Sequence, residues 1–298
     1  MAASARTPIR WWLYGDVLTG DLLMQTPAIR ALRAREPDAE IHYVHGGVQV
    51  SGFVLQGNRY LSRVHLLDRI PSLSGSWVAD QFCLTDSDRV VHLDPGSALN
   101  WGVAEQKTLV QGFGALIGVE VTDLKYDYFM TRAEKKEGQA LARALGGGQP
   151  VVIVARHSTS CHSNLPHCGV ANKCVSNTLW VEVADWLLAE GFLPVAVGSW
   201  REEQDERYSE WPGKKLYGLP MRRVAGLLAA SHATLAIDNG IRHLAAGAGG
   251  NLYCISGGTG LELVHCVPVR KGQRFFEEYR PLPSITAEHI IAGAKNVL

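Results

Sequence analysis

The alternation of short apolar runs with helical patterns along the whole chain constrains the fold most strongly. The apolar runs cover residues 9–14, 41–45, 63–67, 89–94, 151–155, 192–198, 214–218, 233–238 and 251–257. Strands that alternate with helices in this way form parallel sheets, with the helices packed on both faces. The sequence therefore predicts an α/β protein made of two doubly wound, Rossmann-like domains.

A glycine-rich segment, ALGGGQP at residues 144–150, separates the two halves. Three glycines and a proline between a charged helix and a new strand are typical of a linker. We therefore predict domains over residues 1–147 and 148–283, followed by an amphipathic C-terminal helix over residues 284–298. Near the start of the chain, Thr26 and Pro27 have the residue types of a helix cap and a first helical position.

Composition and charge exclude several classes of protein. Lys and Arg together number 29, as do Asp and Glu, and this balance argues against broad electrostatic attraction to nucleic acid or an anionic membrane. The first ten residues lack the apolar core of a signal peptide, and no apolar run has the length of a membrane span. With six cysteines and no secretion signal, we expect a cytoplasmic protein without integral membrane association.

Two segments fall where doubly wound sheets bind ligands, at the carboxyl ends of their strands. GDVLTGD at residues 15–21 follows the first predicted strand and contains two aspartates. IDNGIRHLAAGAGG at residues 237–250 ends a strand and begins a helix, whose free N–H groups favour a phosphate. In a purely structural alternative, Asp238 is an ordinary helix cap and His243 a buried histidine.

The second of these segments carries a family resemblance. Residues 238–260, DNGIRHLAAGAGGNLYCISGGTG, resemble the hallmark of glycosyltransferase family 9, the heptosyltransferases of lipopolysaccharide synthesis. That hallmark runs Asp-Ser/Thr-Gly-x-x-His-Leu-Ala-Ala, followed one strand later by Gly-Pro-Thr. Here Asn239 replaces the hydroxyl residue, and residues 257–259, Gly-Gly-Thr, replace Gly-Pro-Thr.

Two further matches occur in the same order as in the family. GDLLMQTPAIRAL, at residues 20–32, is similar to the family's opening motif. The family also has a Lys-x-Trp-Pro before the first helix of its second domain. Its lysine falls on Lys173 here, with Val175-Ser176 in place of Trp-Pro.

The resemblance implies a GT-B fold, with two domains facing across a cleft and a C-terminal helix that crosses back to the first. The first domain is then the acceptor-binding domain and the second the nucleotide-sugar-binding domain. The implied activity is that of an inverting, metal-independent glycosyltransferase, which moves a heptose or other hexose-like sugar from a donor such as ADP-heptose to an acceptor hydroxyl.

The resemblance also implies roles for individual residues. Asp21 is the general base, because its spacing to the Thr-Pro pair matches the family and that of Asp16 does not. Gly20 and Asp16 lie on the acceptor side. The implied donor-binding residues are Ser158, Thr159, Lys173, Met221, Asp238, Asn239, Gly240, His243, Gly258 and Thr259. Lys173 and the turns at 238–243 and 257–259 would stabilise the diphosphate leaving group.

Two other functions remain open from the sequence. A sugar-nucleotide epimerase has the same fold, and a non-catalytic nucleotide-sugar-binding module would keep the donor motif. The acceptor is not identified: a small molecule, a saccharide, a protein side chain or a modified nucleic-acid base is compatible with the sequence.

A cluster of cysteines and histidines, SCHSNLPHCGVANKC at residues 160–174, stands apart from the family motifs. Cys161, His167, Cys168 and Cys174 could together hold a structural zinc or iron ion, since thiolate and imidazole ligands suit both. A disulfide or free thiols are the alternatives, because the spacing is not that of a Cys-x-x-Cys knuckle. Catalysis itself is expected to need no cofactor.

Overall fold

The chain divides into two compact units in the computed structural model, residues 1–129 and 130–298. The structure describes residues 8–15, 17–46, 52–67, 73–157, 175–257, 271–280 and 284–298. Each unit is built around one parallel sheet, as the sequence predicts. None of the helices within these ranges combines the length and apolar composition needed to cross a membrane.

The first unit contains a four-stranded sheet in the order β3-β2-β1-β4. Its strands are β1 (Arg10–Gly15), β2 (Glu40–His45), β3 (Arg63–Leu66) and β4 (Arg89–His92). Its helices are α1 (Thr19–Arg35), α2 (Gly75–Gln81), α3 (Pro95–Glu105) and α4 (Leu109–Leu116). The winding reverses between β1 and β4, so a ligand is expected at the carboxyl end of β1.

Helix α1 begins at Thr19, eight residues before Pro27, the first helical position that the Thr26-Pro27 pair predicts. Pro27 therefore lies inside the helix, where it lacks the N–H that would bond to the carbonyl of Leu23. The Thr26 hydroxyl donates to that carbonyl over 2.7 Å and also accepts the N–H of Asp127 over 2.9 Å. The predicted cap is thus wrong, because Thr26 compensates for the proline within a continuous helix.

The second unit contains a six-stranded sheet in the order β10-β9-β8-β5-β6-β7. Its strands are β5 (Val151–Ala155), β6 (Leu193–Gly198), β7 (Lys214–Tyr217), β8 (Ala233–Ile237), β9 (Leu252–Ser256) and β10 (Phe275–Tyr279). Its helices are α5 (Arg132–Gly146), α6 (Asn177–Ala189), α7 (Trp200–Glu203), α8 (Met221–Ala230), α9 (Gly240–Ala248) and α10 (Ala287–Ala294). This is the strand order of dinucleotide-binding sheets, with the switch point between β5 and β8.

Helix α5 belongs to the second unit, which begins at residue 130. The helix packs on α8 at a contact between Gly138 and Gly226, where a side chain on either glycine would collide with the facing backbone. Arg222 on α8 adds an ion pair with Glu134, and this bond holds the pKa of Glu134 low, at about 2. The glycine-rich segment ends the helix without ending the unit.

The C-terminal helix α10 packs within the second unit. Ile290 and Ala294 are fully buried in the same apolar cluster as Trp180 of α6, Tyr253 of β9 and the β5 strand. Within the second unit, α10 contacts α6, β9 and β10. The apolar face of α10 is used to cover one face of the second sheet.

We predict that Gly138→Ala destabilises the protein by about 1–3 kcal/mol, because the new methyl group overlaps the carbonyl of Gly226. Gly146→Ala is the matched control on the same helix. The new methyl group would lie 3.4 Å from Val151 Cγ2, which is an ordinary contact, and alanine has a higher helix propensity than glycine. We therefore expect this variant to be as stable as wild type or more stable by up to about 1 kcal/mol. Thermal unfolding measures the stability of both variants. Equal unfolding midpoints would contradict the close contact of Gly138 with Gly226.

Candidate functional site

The carboxyl ends of β5 and β8, at the switch point of the second sheet, are joined by the side chain of Asn239. Its Oδ1 accepts the N–H groups of Ile241 (3.0 Å) and Arg242 (3.2 Å), which caps α9. Its Nδ2 donates to the carbonyls of Ala155 (3.2 Å) and His157 (2.8 Å), at the end of β5. A serine or threonine hydroxyl has one proton to donate, so the amide makes a link that the family's usual residue cannot reproduce in full.

The first turn of α9 supplies an anion-binding arrangement at this switch point. Gly240 is the first residue of the helix, half-buried, directly after Asn239. Asn239 accepts the N–H groups of Ile241 and Arg242, so the Gly240 N–H and the helix dipole are the features of this end that favour negative charge. The predicted phosphate-binding turn therefore has the local structure that the sequence indicated.

A buried cation, Arg242, lies in the same turn and was not identified from the sequence. Its guanidinium is fully buried, with Nη2 2.8 Å from Asp238 Oδ1 and Nη1 3.0 Å from Glu277 Oε1 of β10. Nη1 also donates to Ser256 Oγ at the end of β9 over 2.7 Å. Burial acts to lower the pKa of Arg242, but the charges of Asp238 and Glu277 raise it overall.

Asp238 and His243, both predicted to bind the donor, are therefore in contact with Arg242. The Asp238 side chain is 15% exposed, and the residue His243 is 4% exposed. The Nε–H of Arg242 lies 3.2 Å from His243 Nε2, which acts as the acceptor. The imidazole proton is then on Nδ1.

A second polar cluster lies at the carboxyl ends of β5 and β6. Glu202 is 5% exposed, and its Oε2 accepts the N–H of Ser199 over 2.9 Å. His157 Nδ1 lies 3.9 Å from the same Oε2. Burial raises the pKa of Glu202 to about 7. Within the described part of the chain, Glu202 Oε1 has no hydrogen-bond partner.

Arg156 anchors this second cluster. It is fully buried, and its Nη2 donates to the Tyr217 hydroxyl (2.6 Å) and the Tyr208 carbonyl (2.8 Å). The guanidinium carbon lies 5.1 Å from the ring centre of Tyr208 and 4.8 Å from that of Trp211. Its charge opposes the rise in the pKa of Glu202 that burial causes.

In the first unit, Asp21 lies half-buried in the first turn of α1, at the switch point of the sheet. One turn later, Gln25 accepts the Tyr43 hydroxyl over 2.6 Å and donates to the carbonyl of Leu93 over 3.2 Å. Burial and the charge of Asp21 raise the pKa of Tyr43. Gly15 is required beside them, since a Cβ there would lie 2.9 Å from the Tyr43 oxygen.

The remaining predicted residues are distributed as follows. Gly20 is buried next to Asp21, and Met221 is half-buried at the first position of α8. The predicted residues that lie outside the described ranges are Asp16, Ser158, Thr159, Lys173, Gly258, Thr259, Cys161, His167, Cys168 and Cys174. Within those ranges, no group of three or more His, Cys, Asp or Glu side chains is arranged to hold a metal ion.

Sequence comparison provides no relative, because no family model and no curated protein matches the chain. Solved structures do match it. The glycosyl transferase family 9 protein from Veillonella parvula superimposes with a TM-score of 0.75 at 14% identity, over 97% of this chain and 96% of its own. The ADP-heptose lipopolysaccharide heptosyltransferase II of Escherichia coli gives 0.68 at 16% identity, over 97% and 98%.

A third structure is similar over a smaller part of its length. The iron-containing dodecameric glycosyltransferase TibC from enterotoxigenic Escherichia coli has a TM-score of 0.57 at 15% identity, over 84% of this chain and 58% of its own. At these identities the comparisons define the fold, which is of the GT-B type. The resemblance to glycosyltransferase family 9 is thereby confirmed at the level of the fold.

We predict that Glu202→Gln reduces the pH dependence of stability. The folded protein holds the Glu202 proton with a pKa of about 7, against 4.5 for an ordinary glutamate. The carboxyl group therefore contributes stability that is full below pH 4.5 and is lost as the pH rises through about 7. Glutamine keeps an acceptor for the Ser199 N–H but does not titrate.

Thermal unfolding midpoints between about pH 5 and about pH 8 measure this effect. The wild-type midpoint should fall more over this range than that of Glu202→Gln. Glu203→Gln, at the exposed neighbouring position, is the control and should behave as wild type. Parallel profiles for wild type and Glu202→Gln would show that Glu202 does not titrate as described.

Proposed function

We propose that the chain is an inverting, metal-independent glycosyltransferase that moves a sugar from a nucleotide-sugar donor to an acceptor hydroxyl. The observation that carries this proposal is the capped N-terminus of α9 at the switch point of the second sheet. A helix end of this kind favours a diphosphate, and the sheet has the strand order of nucleotide-binding domains. The GT-B fold adds support, since two solved structures that superimpose over nearly the whole chain are glycosyltransferases.

The donor is assigned to the second unit. The Gly240 N–H and the dipole of α9 would receive the diphosphate, with Lys173 and residues 257–259 as further groups that stabilise it. Ser158 and Thr159 are placed near the phosphates, and Met221 near the nucleoside. Because a structurally similar protein is an ADP-heptose heptosyltransferase, ADP-heptose is the first donor to test.

Asp21 is assigned as the general base. A carboxylate in the first turn of a helix is stabilised in its ionised form, which can accept a proton near neutral pH. The acceptor hydroxyl would give its proton to Asp21 while its oxygen bonds to the anomeric carbon. The bond from that carbon to the diphosphate breaks, and the nucleoside diphosphate leaves with the electron pair. One displacement of this kind inverts the anomeric centre.

The acceptor side is assigned in less detail than the donor side. Gly20 and Asp16 are assigned to the acceptor side, and the acceptor is a hydroxyl compound of unassigned class. We place the enzyme in the cytoplasm on the basis of its cysteine content.

We predict that Asp21→Asn lowers the rate of sugar transfer by at least about 100-fold, because the amide cannot accept the proton. Donor affinity should change little, since the base acts on the acceptor. Asp16→Ala is the comparison and should cause a much smaller loss. Transfer rates and donor titrations measure both effects. Full activity of Asp21→Asn would contradict the assignment, whereas donor binding without transfer by wild type would favour a module that binds without catalysis.

We also propose a structural zinc or iron ion held by Cys161, His167, Cys168 and Cys174. Three thiolates and an imidazole form a donor set that both metals accept in tetrahedral geometry. We expect one equivalent of metal by elemental analysis of the purified protein, and transfer activity that does not require added metal ions. A protein that holds neither zinc nor iron would contradict this site.

A further inference from the structure

Arg242 connects three elements that end at the same edge of the second sheet. Asp238 follows β8, Ser256 is the last residue of β9, and Glu277 lies on β10; all three bond to the one guanidinium. Ser256 also donates to Glu277 over 2.7 Å, which closes the network. Because Ser256 is the last residue of β9, the guanidinium holds the carboxyl end of that strand in place.

The charges of this network affect donor binding, because the network lies next to the N-terminus of α9. Asp238 and Glu277 carry two negative charges and Arg242 one positive charge, so the cluster is negative overall, next to the N-terminus of α9. A diphosphate at that helix end is also an anion. Charges in a buried site are screened little by salt, so each carboxylate that is not neutralised opposes binding.

We propose that Arg242 is a positioning residue of the donor site, which orients Asp238 and the end of β9 and neutralises the carboxylate nearest to the diphosphate. Glu277 holds Arg242 in place and, as a second carboxylate, weakens donor binding. This inference rests on the proposed function, since it assigns the diphosphate to the α9 turn. Removal of Arg242 and removal of the Glu277 charge should therefore change donor affinity in opposite directions.

The test uses the full chain and four probes, ADP, GDP, UDP and CDP, titrated calorimetrically to find the one that wild type binds most tightly. The dissociation constant for that nucleotide is then measured for Arg242→Met, Glu277→Gln and the double variant. We expect it to rise at least about tenfold in Arg242→Met and to fall about threefold in Glu277→Gln. The double variant, which restores the net charge of wild type, should lie between the two.

A control on the same strand separates this effect from a general change of charge. Glu278 accepts the Tyr253 hydroxyl over 2.9 Å and pairs with Arg280, and it points to the opposite face of the strand from Glu277. Glu278→Gln removes the same charge from the same strand, so its dissociation constant should equal that of wild type. Unfolding midpoints of all variants are recorded in parallel.

The outcomes are distinguishable. If no probe binds wild type, the proposed function is contradicted, and the role of Arg242 with it. If a probe binds wild type but Glu277→Gln binds it equally or more weakly, only the role of Arg242 is overturned. A purely structural network would lower unfolding midpoints without tightening binding. If Arg242→Met does not fold, Glu277→Gln decides alone, since Arg242 keeps its partner Asp238 there.

Discussion

The amide of Asn239 links the end of β5 to the first turn of α9, which follows β8, and the second sheet reverses its winding between these two strands. Its oxygen caps α9, and its nitrogen holds the carbonyls of Ala155 and His157, where the chain leaves β5. The helix end that would bind the diphosphate and the residues directly after β5 are thus tied to one planar group. A ligand at this position would be bound by backbone whose geometry is already fixed, which lowers the entropic cost of binding.

Two buried arginines lie on the two sides of this switch point, Arg156 after β5 and Arg242 in the α9 turn. Burial of charge costs free energy, and apolar residues of similar volume often replace such ion pairs without loss of stability. A contribution to stability therefore does not explain why these two buried positions hold arginines. Arg242 bonds to Asp238, Ser256 and Glu277, which come from separate elements, so its geometric effect on the site is the more direct explanation.

Much of the fold could be predicted because buried parallel strands form continuous apolar runs in a sequence. Strand β10 was missed since its FFEEY sequence places two carboxylates in an edge strand. The roles of Arg242 and Glu277, 35 residues apart, depend on tertiary contact that no local pattern records. The contact of Gly138 with Gly226, which packs α5 on α8 within the second unit, is likewise a tertiary contact that the local sequence does not record.

The central claim, that the second unit binds a nucleotide sugar, is tested most directly by thermal unfolding of the wild-type chain with a panel of nucleotide sugars. Each is compared with its free sugar and its nucleoside monophosphate, in buffer containing a chelator. We expect at least one nucleotide sugar to raise the unfolding midpoint in a concentration-dependent manner, because a ligand that binds only the folded state stabilises it by about 2.7 kcal/mol at 100 times its dissociation constant. Unchanged midpoints across the whole panel would contradict the account.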